Sequence, residues 1–180
     1  MAEAYQIRNQ HGLYFLTFQV VGWVDVFSRK IYRDIIIDSF KYCRAKKGMK
    51  LYAYVVMTNH IHVIVSSKDG KLSDLVRDVK KYTSKQLLKT MTEINESRRE
   101  WMELVFKYHA KYNKRSGGRQ FWTHENHAVE LTDNDMINSR INYIHENPVR
   151  AGWVTEAEDY LYSSARNFGD LDCLLQIDEI

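Results

Sequence analysis

The stretch Asn59-His60-Ile61-His62-Val63-Ile64-Val65-Ser66 decides the fold. Its β-branched apolar run suits the pleated, half-buried surface of a strand. Side chains alternate along a strand, so His60 and His62 point to one face and Ile61, Val63 and Val65 to the other. The apolar set anchors the strand in a core, and the two imidazoles stand side by side on a rigid element. Histidine is the commonest metal ligand, so the pair reads as half of a metal site. Such pairs also occur in sheets that hold no metal. A structural zinc would want four ligands, and Cys43 and Cys173 are far apart with no CxxC spacing. An open site, completed by a helix or by substrate, suits these residues better than a closed zinc site.

Residues 50–57 form a second strand, joined to the first through the tight Thr58-Asn59 junction as an antiparallel neighbour. Residues 13–22 read as a strand before them. Ser28 can cap the next segment, where Ile31, Ile35, Ile36, Phe40 and Cys43 follow a helical period and Gly48 closes the helix. Asp69-Gly70 is a turn. The helical period returns at Leu72, Leu75, Val76, Val79 and Tyr82, and again at Trp101, Leu104, Val105, Tyr108 and Tyr112. Residues 71–112 are therefore one long helix or two, broken near 93–97. A basic loop covers 113–120, and Phe121-Trp122 with Ala128-Val129-Glu130-Leu131 returns to the sheet. Thr132 and Asp135 resemble a capping box. The last helix buries Met136, Ile137, Ile141 and Ile144 and should end at Asn147, because Pro148 lacks an N–H and disfavours helical geometry before it. This is an α+β order. Its first six elements match the ferredoxin-like βαββαβ, an antiparallel sheet with helices on one face. The extra helical segment at about 71–112 and a C-terminal helix are added to it.

The 180 residues suffice for a single domain, 1–180, with a real core. The 44% hydrophobic and 13% aromatic content is that of a globular chain. No apolar run approaches the roughly twenty residues of a membrane span. The start, Met1-Ala2-Glu3-Ala4-Tyr5, is not a signal pattern. Two cysteines make no disulfide framework, so a cytoplasmic location is expected.

The net charge of +3 is unevenly spread. Residues 1–70 carry +5, residues 71–119 carry +7, and residues 120–180 carry −9. A basic middle fits a polyanion-binding face, although its lysines could simply solvate a helix. Tyr82, Trp101, Phe106, Tyr108, Tyr112, Phe121 and Trp122 lie among or beside these charges. Cations interleaved with stacking faces are what single-stranded nucleic acid requires.

The last helix holds Tyr143-Ile144-His145-Glu146-Asn147. Tyr143 and Asn147 are four apart and share a helical face. A tyrosine hydroxyl can attack phosphorus when a metal polarises the phosphate and the phenol can lose its proton. Asn147 offers a neutral oxygen ligand beside His60 and His62. Such a donor set suits Mg2+ or Mn2+. With twelve tyrosines in the chain, an ordinary packing role for Tyr143 is the alternative.

Two strings, Val55-Val56-Met57-Thr58-Asn59-His60-Ile61-His62-Val63-Ile64 and Tyr143-Ile144-His145-Glu146-Asn147-Pro148-Val149-Arg150-Ala151-Gly152, carry a resemblance to a known family. Through them the chain resembles the REP-associated tyrosine transposases, the single-tyrosine branch of the HUH endonuclease superfamily, over roughly residues 10–165. The resemblance implies a ferredoxin-like fold whose central strand holds the histidine pair, and a divalent metal, Mg2+ or Mn2+, on His60 and His62. Asn147 stands where relatives in the wider superfamily place a glutamine ligand. Tyr143 would attack DNA to leave a 5′-phosphotyrosine and a free 3′-OH. The substrate would be single-stranded DNA beside imperfect hairpins, usually repeated extragenic palindromes. The protein would act as a monomer or homodimer, near the nucleoid. The long charged segment 89–112 departs from the short form of the family.

On this reading Lys80, Lys81, Lys85, Lys114, Arg115, Arg119 and Arg150 are candidate phosphate contacts, with Arg150 equally a pin for the Asn-Pro-Val-Arg turn. Two other classes stay open: a domesticated hairpin-binding module that does not cut, and a structural zinc protein.

Overall fold

The computed structural model describes residues 6–111 and 118–180. In chain order the regular elements are β1 (Tyr14–Gln19), α1 (Lys30–Lys46), β2 (Met49–Val56), β3 (His60–Ser67), α2 (Leu72–Glu93), α3 (Arg99–Ala110), β4 (Val129–Glu130), α4 (Asn134–Arg150) and α5 (Ala165–Phe168). The four strands make one sheet in the order β2-β3-β1-β4. Every pairing in it is antiparallel. With α3 set aside as an insertion, this is the βαββαβ arrangement, and the histidine strand β3 lies inside the sheet. The helical stretch that follows β3 is two helices, because Ile94 leaves helical geometry (φ −101°, ψ 163°).

Register fixes which residues share a face. Thr17 lies opposite His62 and Gln19 opposite His60, so Phe15, Thr17, Gln19 and the two histidines line one face. Tyr14, Leu16 and Phe18 line the other. Lys80 of α2 sits 5.7 Å from the Phe18 ring, which places α2 on that second face, with α1 packed beside it. Tyr143 of α4 meets Phe15 and His62, so α4 covers the first face. Both surfaces of β3 are therefore closed, and Ile61, Val63 and Ile64 are fully buried.

The open edge of β2 is covered by the C-terminal segment, which limits edge-to-edge association. Val56 N–H donates to Tyr162 O, and Ser164 N–H donates to Tyr54 O. Farther along, the Asp178 carboxylate accepts from Leu51 N–H and pairs with Arg44 and Lys50.

Three helix ends differ from expectation. Arg29, not Ser28, occupies the first cap of α1, and no side chain caps there, because Ser28 is taken into a preceding 3-10 turn. Asp133, not Thr132, caps α4, its carboxylate accepting from Met136 N–H at 2.8 Å. Finally, α4 does not stop at Asn147 but continues to Arg150 with Pro148 inside it. A proline ring disturbs the carbonyls one turn back. Here the Tyr143 carbonyl one turn before Asn147 accepts from Asn147 Nδ2 at 2.7 Å and from Arg150 Nη2 at 2.9 Å. These bonds tie Asn147 and Arg150 on either side of Pro148 back to the preceding turn, and the last turn stays helical.

Candidate active site

The histidines emerge where β3 begins, held between β1 and β2. Their ring centroids are 4.7 Å apart. His60 Nδ1 donates to Asn59 Oδ1 at 2.6 Å. His62 Nδ1 pairs with Thr17 Oγ1 at 2.9 Å. With Nδ1 engaged on each ring, Nε2 is the nitrogen left to bind a cation, the usual division of labour in ligating imidazoles. Burial pushes His60 down to about 4. Burial, and then the His60, Arg140, Arg150 and His127 charges, push His62 down to about 3. Both rings are therefore neutral at pH 7, the form that binds metals. Phe15 stacks on His62 at 5.2 Å and 25° and sets its plane.

The half-buried Tyr143 closes the site from α4. Its ring stands 5.3 Å from His62 and 5.9 Å from Phe15, edge-on to both. The Arg150 guanidinium lies 4.7 Å from the centre of the same ring. Arg150 therefore has a pinning role, through a carbonyl and a ring rather than a carboxylate. Asn147 uses its amide nitrogen on the Tyr143 carbonyl, so a ligating role would fall to Oδ1. Among the described residues no group of three or more His, Cys, Asp and Glu is placed to hold a metal. The donors brought together are the two imidazoles, with Asn147 one helical turn beyond Tyr143. That set falls short of the four ligands of structural zinc and fits an open site for a hard divalent ion that keeps places for phosphate oxygens.

The other sequence candidates are spread out. The Lys80 ammonium donates to Thr123 O at 2.7 Å and Asn126 Oδ1 at 2.6 Å, on the sheet face opposite the histidines. Burial lowers it to about 8. Lys81 and Lys85 are exposed on α2. Arg119 lies 4.0 Å from Glu103 of α3. Lys114 and Arg115 lie outside the described residues.

Sequence reasoning passed over Phe15, Thr17, Gln19 and Arg140. Arg140 sits one turn before Tyr143 with its guanidinium 5.0 Å from the Phe15 ring. The buried Gln19 donates to Asn59 O at 3.0 Å and holds the β2–β3 turn. Polar Thr17 and Gln19 alternate with aromatics in Phe15-Leu16-Thr17-Phe18-Gln19. That signal becomes readable once β1 is paired with β3.

The chain resembles known proteins in sequence and in fold. The family model "Transposase IS200 like" matches residues 18–106, the part of the chain that holds the histidine pair. Over that segment the chain is similar to the IS200-like transposases. It is also similar to a curated Haemophilus influenzae chain named as a putative REP-associated tyrosine transposase, at 25% identity over 157 residues, 85% of this chain and 79% of the relative. Its fold matches the solved structure of a REP-associated tyrosine transposase bound to a REP hairpin, with a TM-score of 0.61 and 19% identity, over 99% of this chain and 93% of that one. No described helix is long and apolar enough to cross a membrane.

Proposed function

We propose that the chain is a DNA-processing transposase of the single-tyrosine type, which nicks and rejoins single-stranded DNA beside hairpins. The observation that carries this reading is the placement of Tyr143 5.3 Å from His62 within one chain. His60 and His62 through Nε2, and Asn147 through Oδ1, would hold Mg2+ or Mn2+. That ion, when bound, supplies charge neutralisation at the scissile phosphate. Tyr143 Oη forms the new bond to phosphorus while the bond to the 3′-oxygen breaks. The phenolic proton leaves to solvent, the 3′-oxygen takes up a proton as 3′-OH, and the 5′ side remains on tyrosine as a phosphodiester. Attack by a free 3′-OH reverses the bond changes and rejoins a strand. Arg150 and Arg140 flank the tyrosine and bring positive charge to the site where phosphate would enter. The hairpin-bound structural match supports hairpin DNA as the substrate class.

The test is incubation of an end-labelled hairpin oligonucleotide with the protein and Mn2+. Cleavage with a covalent protein–DNA adduct is expected from the parent, and neither from Tyr143→Phe. Equal cutting by Tyr143→Phe would refute the nucleophile. Hairpin binding without an adduct under any divalent metal would favour the non-cleaving module.

A further inference from the structure

Beyond the site itself, the turn after β1 holds an exposed indole in a costly conformation. Val20 and Val21 are buried, and the chain then passes through two consecutive left-handed residues, Gly22 (φ 63°) and Trp23 (φ 57°), before Val24 returns to the core. A glycine adopts such a conformation freely, and Gly22 also lies so close to α3 that a Cβ there would meet Val105 Cγ1 at 2.6 Å. A tryptophan does not adopt it freely, because its Cβ crowds the following carbonyl. Strain of this kind is usually offset by burial, yet Trp23 is 68% exposed. The surrounding turn enforces the conformation. Trp23 N–H donates to Val20 O, and Phe27 N–H donates to Thr58 O on the β2–β3 turn.

The same turn is stitched to the histidine pair. Val20 N–H donates to Asn59 O at 3.0 Å. Asn59 Nδ2 reaches the Trp23 carbonyl at 3.5 Å, while Asn59 Oδ1 accepts from His60 at 2.6 Å. One residue therefore separates the indole's backbone from a candidate metal ligand. A large flat apolar face, carried in solvent on backbone that is bonded to the turn holding His60, has the properties of a base-stacking platform.

We propose that Trp23 stacks an unpaired base of the substrate strand next to the phosphate that enters between His62 and Tyr143. This rests on the reading of the protein as a single-strand DNA enzyme and adds the residue that seats the strand. Stacking carries no charge, so Trp23 contributes affinity without contributing counterion release.

The probe is fluorescently labelled single-stranded dT20, titrated at several salt concentrations. Trp23→Ala is expected to bind roughly tenfold more weakly, with the slope of log affinity against log salt unchanged. Trp23→Phe is expected to recover most of the loss. Trp23→Gly serves as the folding control: glycine accepts the left-handed backbone, so its melting temperature is expected to equal or exceed the parent's while its dT20 affinity falls as for alanine. Parent-like affinity in Trp23→Ala, or a loss that comes with a changed salt slope, overturns the stacking role alone. If the parent itself fails to bind dT20, the single-strand reading falls and the stacking role falls with it.

Discussion

Tyr143 and His62 meet edge to face, 5.3 Å between ring centres and 67° between planes, although they stand 81 positions apart in sequence. β3 supplies one ring and α4 the other, and the contact forms within a single chain.

That arrangement makes a mixing experiment decisive. Tyr143→Phe and a His60→Ala/His62→Ala double variant are each expected to be inactive on a hairpin oligonucleotide. If Tyr143 serves the histidines of its own chain, a mixture of the two stays inactive. Recovery of cutting toward a quarter to a half of the parent rate on mixing would show exchange of tyrosines between chains.

Thr17 offers a test of how the imidazoles are prepared. Its hydroxyl sits 2.9 Å from His62 Nδ1, and partners in that position typically govern ligand orientation and basicity. Thr17→Val keeps the shape and removes the hydrogen bond. Mn2+ affinity, measured by calorimetric titration, is expected to fall about 10–100-fold with the fold intact. Unchanged affinity would mean that Phe15 stacking alone fixes the ring.

Much of this was legible in the chain. The alternation around His60 and His62 located an inner strand, and the turn at Thr58-Asn59 gave its neighbour. The Tyr143–Asn147 spacing named the helix that meets them. What escaped has physical causes. Pro148 read as a stop because local sterics say so, and the two side chains that satisfy the Tyr143 carbonyl are visible in space, not in spacing. Thr17 became part of the site through strand register, which is a non-local property. Lys80 read as a candidate phosphate contact, because nothing in the sequence shows the segment around Thr123 and Asn126 folding over it. The break between α2 and α3 is held by Glu96, buried and bonded to Arg29 and Tyr32 at the start of α1 and to Arg98 at the start of α3. A lone glutamate in a charged stretch gives no hint of that.

Lys80 should accordingly behave as a structural cation and Lys81 and Lys85 as surface ones. Lys80→Met leaves Thr123 O and Asn126 Oδ1 without their donor, at about 1–3 kcal/mol for a buried unsatisfied group. Chemical denaturation should show that loss, while the salt slope of DNA binding stays near the parent's. Lys81→Ala/Lys85→Ala should do the reverse if α2 contacts phosphate, flattening the slope with little change in stability. A steep loss of slope in Lys80→Met would return it to the list of phosphate contacts.

Acid should destabilise the protein well above the range in which carboxylates titrate. Burial lowers three imidazoles in the folded chain: His60 and His145 to about 4 and His62 to about 3. Unfolded, each has its ordinary value near 6.5. Below that value the unfolded chain binds protons that the folded chain refuses, so stability falls as pH drops. The loss should begin near pH 6.5 and continue to about pH 4, each group contributing up to about 1.4 kcal/mol per pH unit. His145, two positions from both Tyr143 and Asn147, turns to the other side of α4 and pairs through Nε2 with the buried Ser164 hydroxyl at 2.9 Å. His145→Gln keeps a polar group there and removes the titration. Its denaturation midpoint should therefore fall less steeply between pH 6.5 and 4 than the parent's. Parallel pH profiles for parent and variant would show that His145 titrates normally in the fold and that acid sensitivity arises elsewhere.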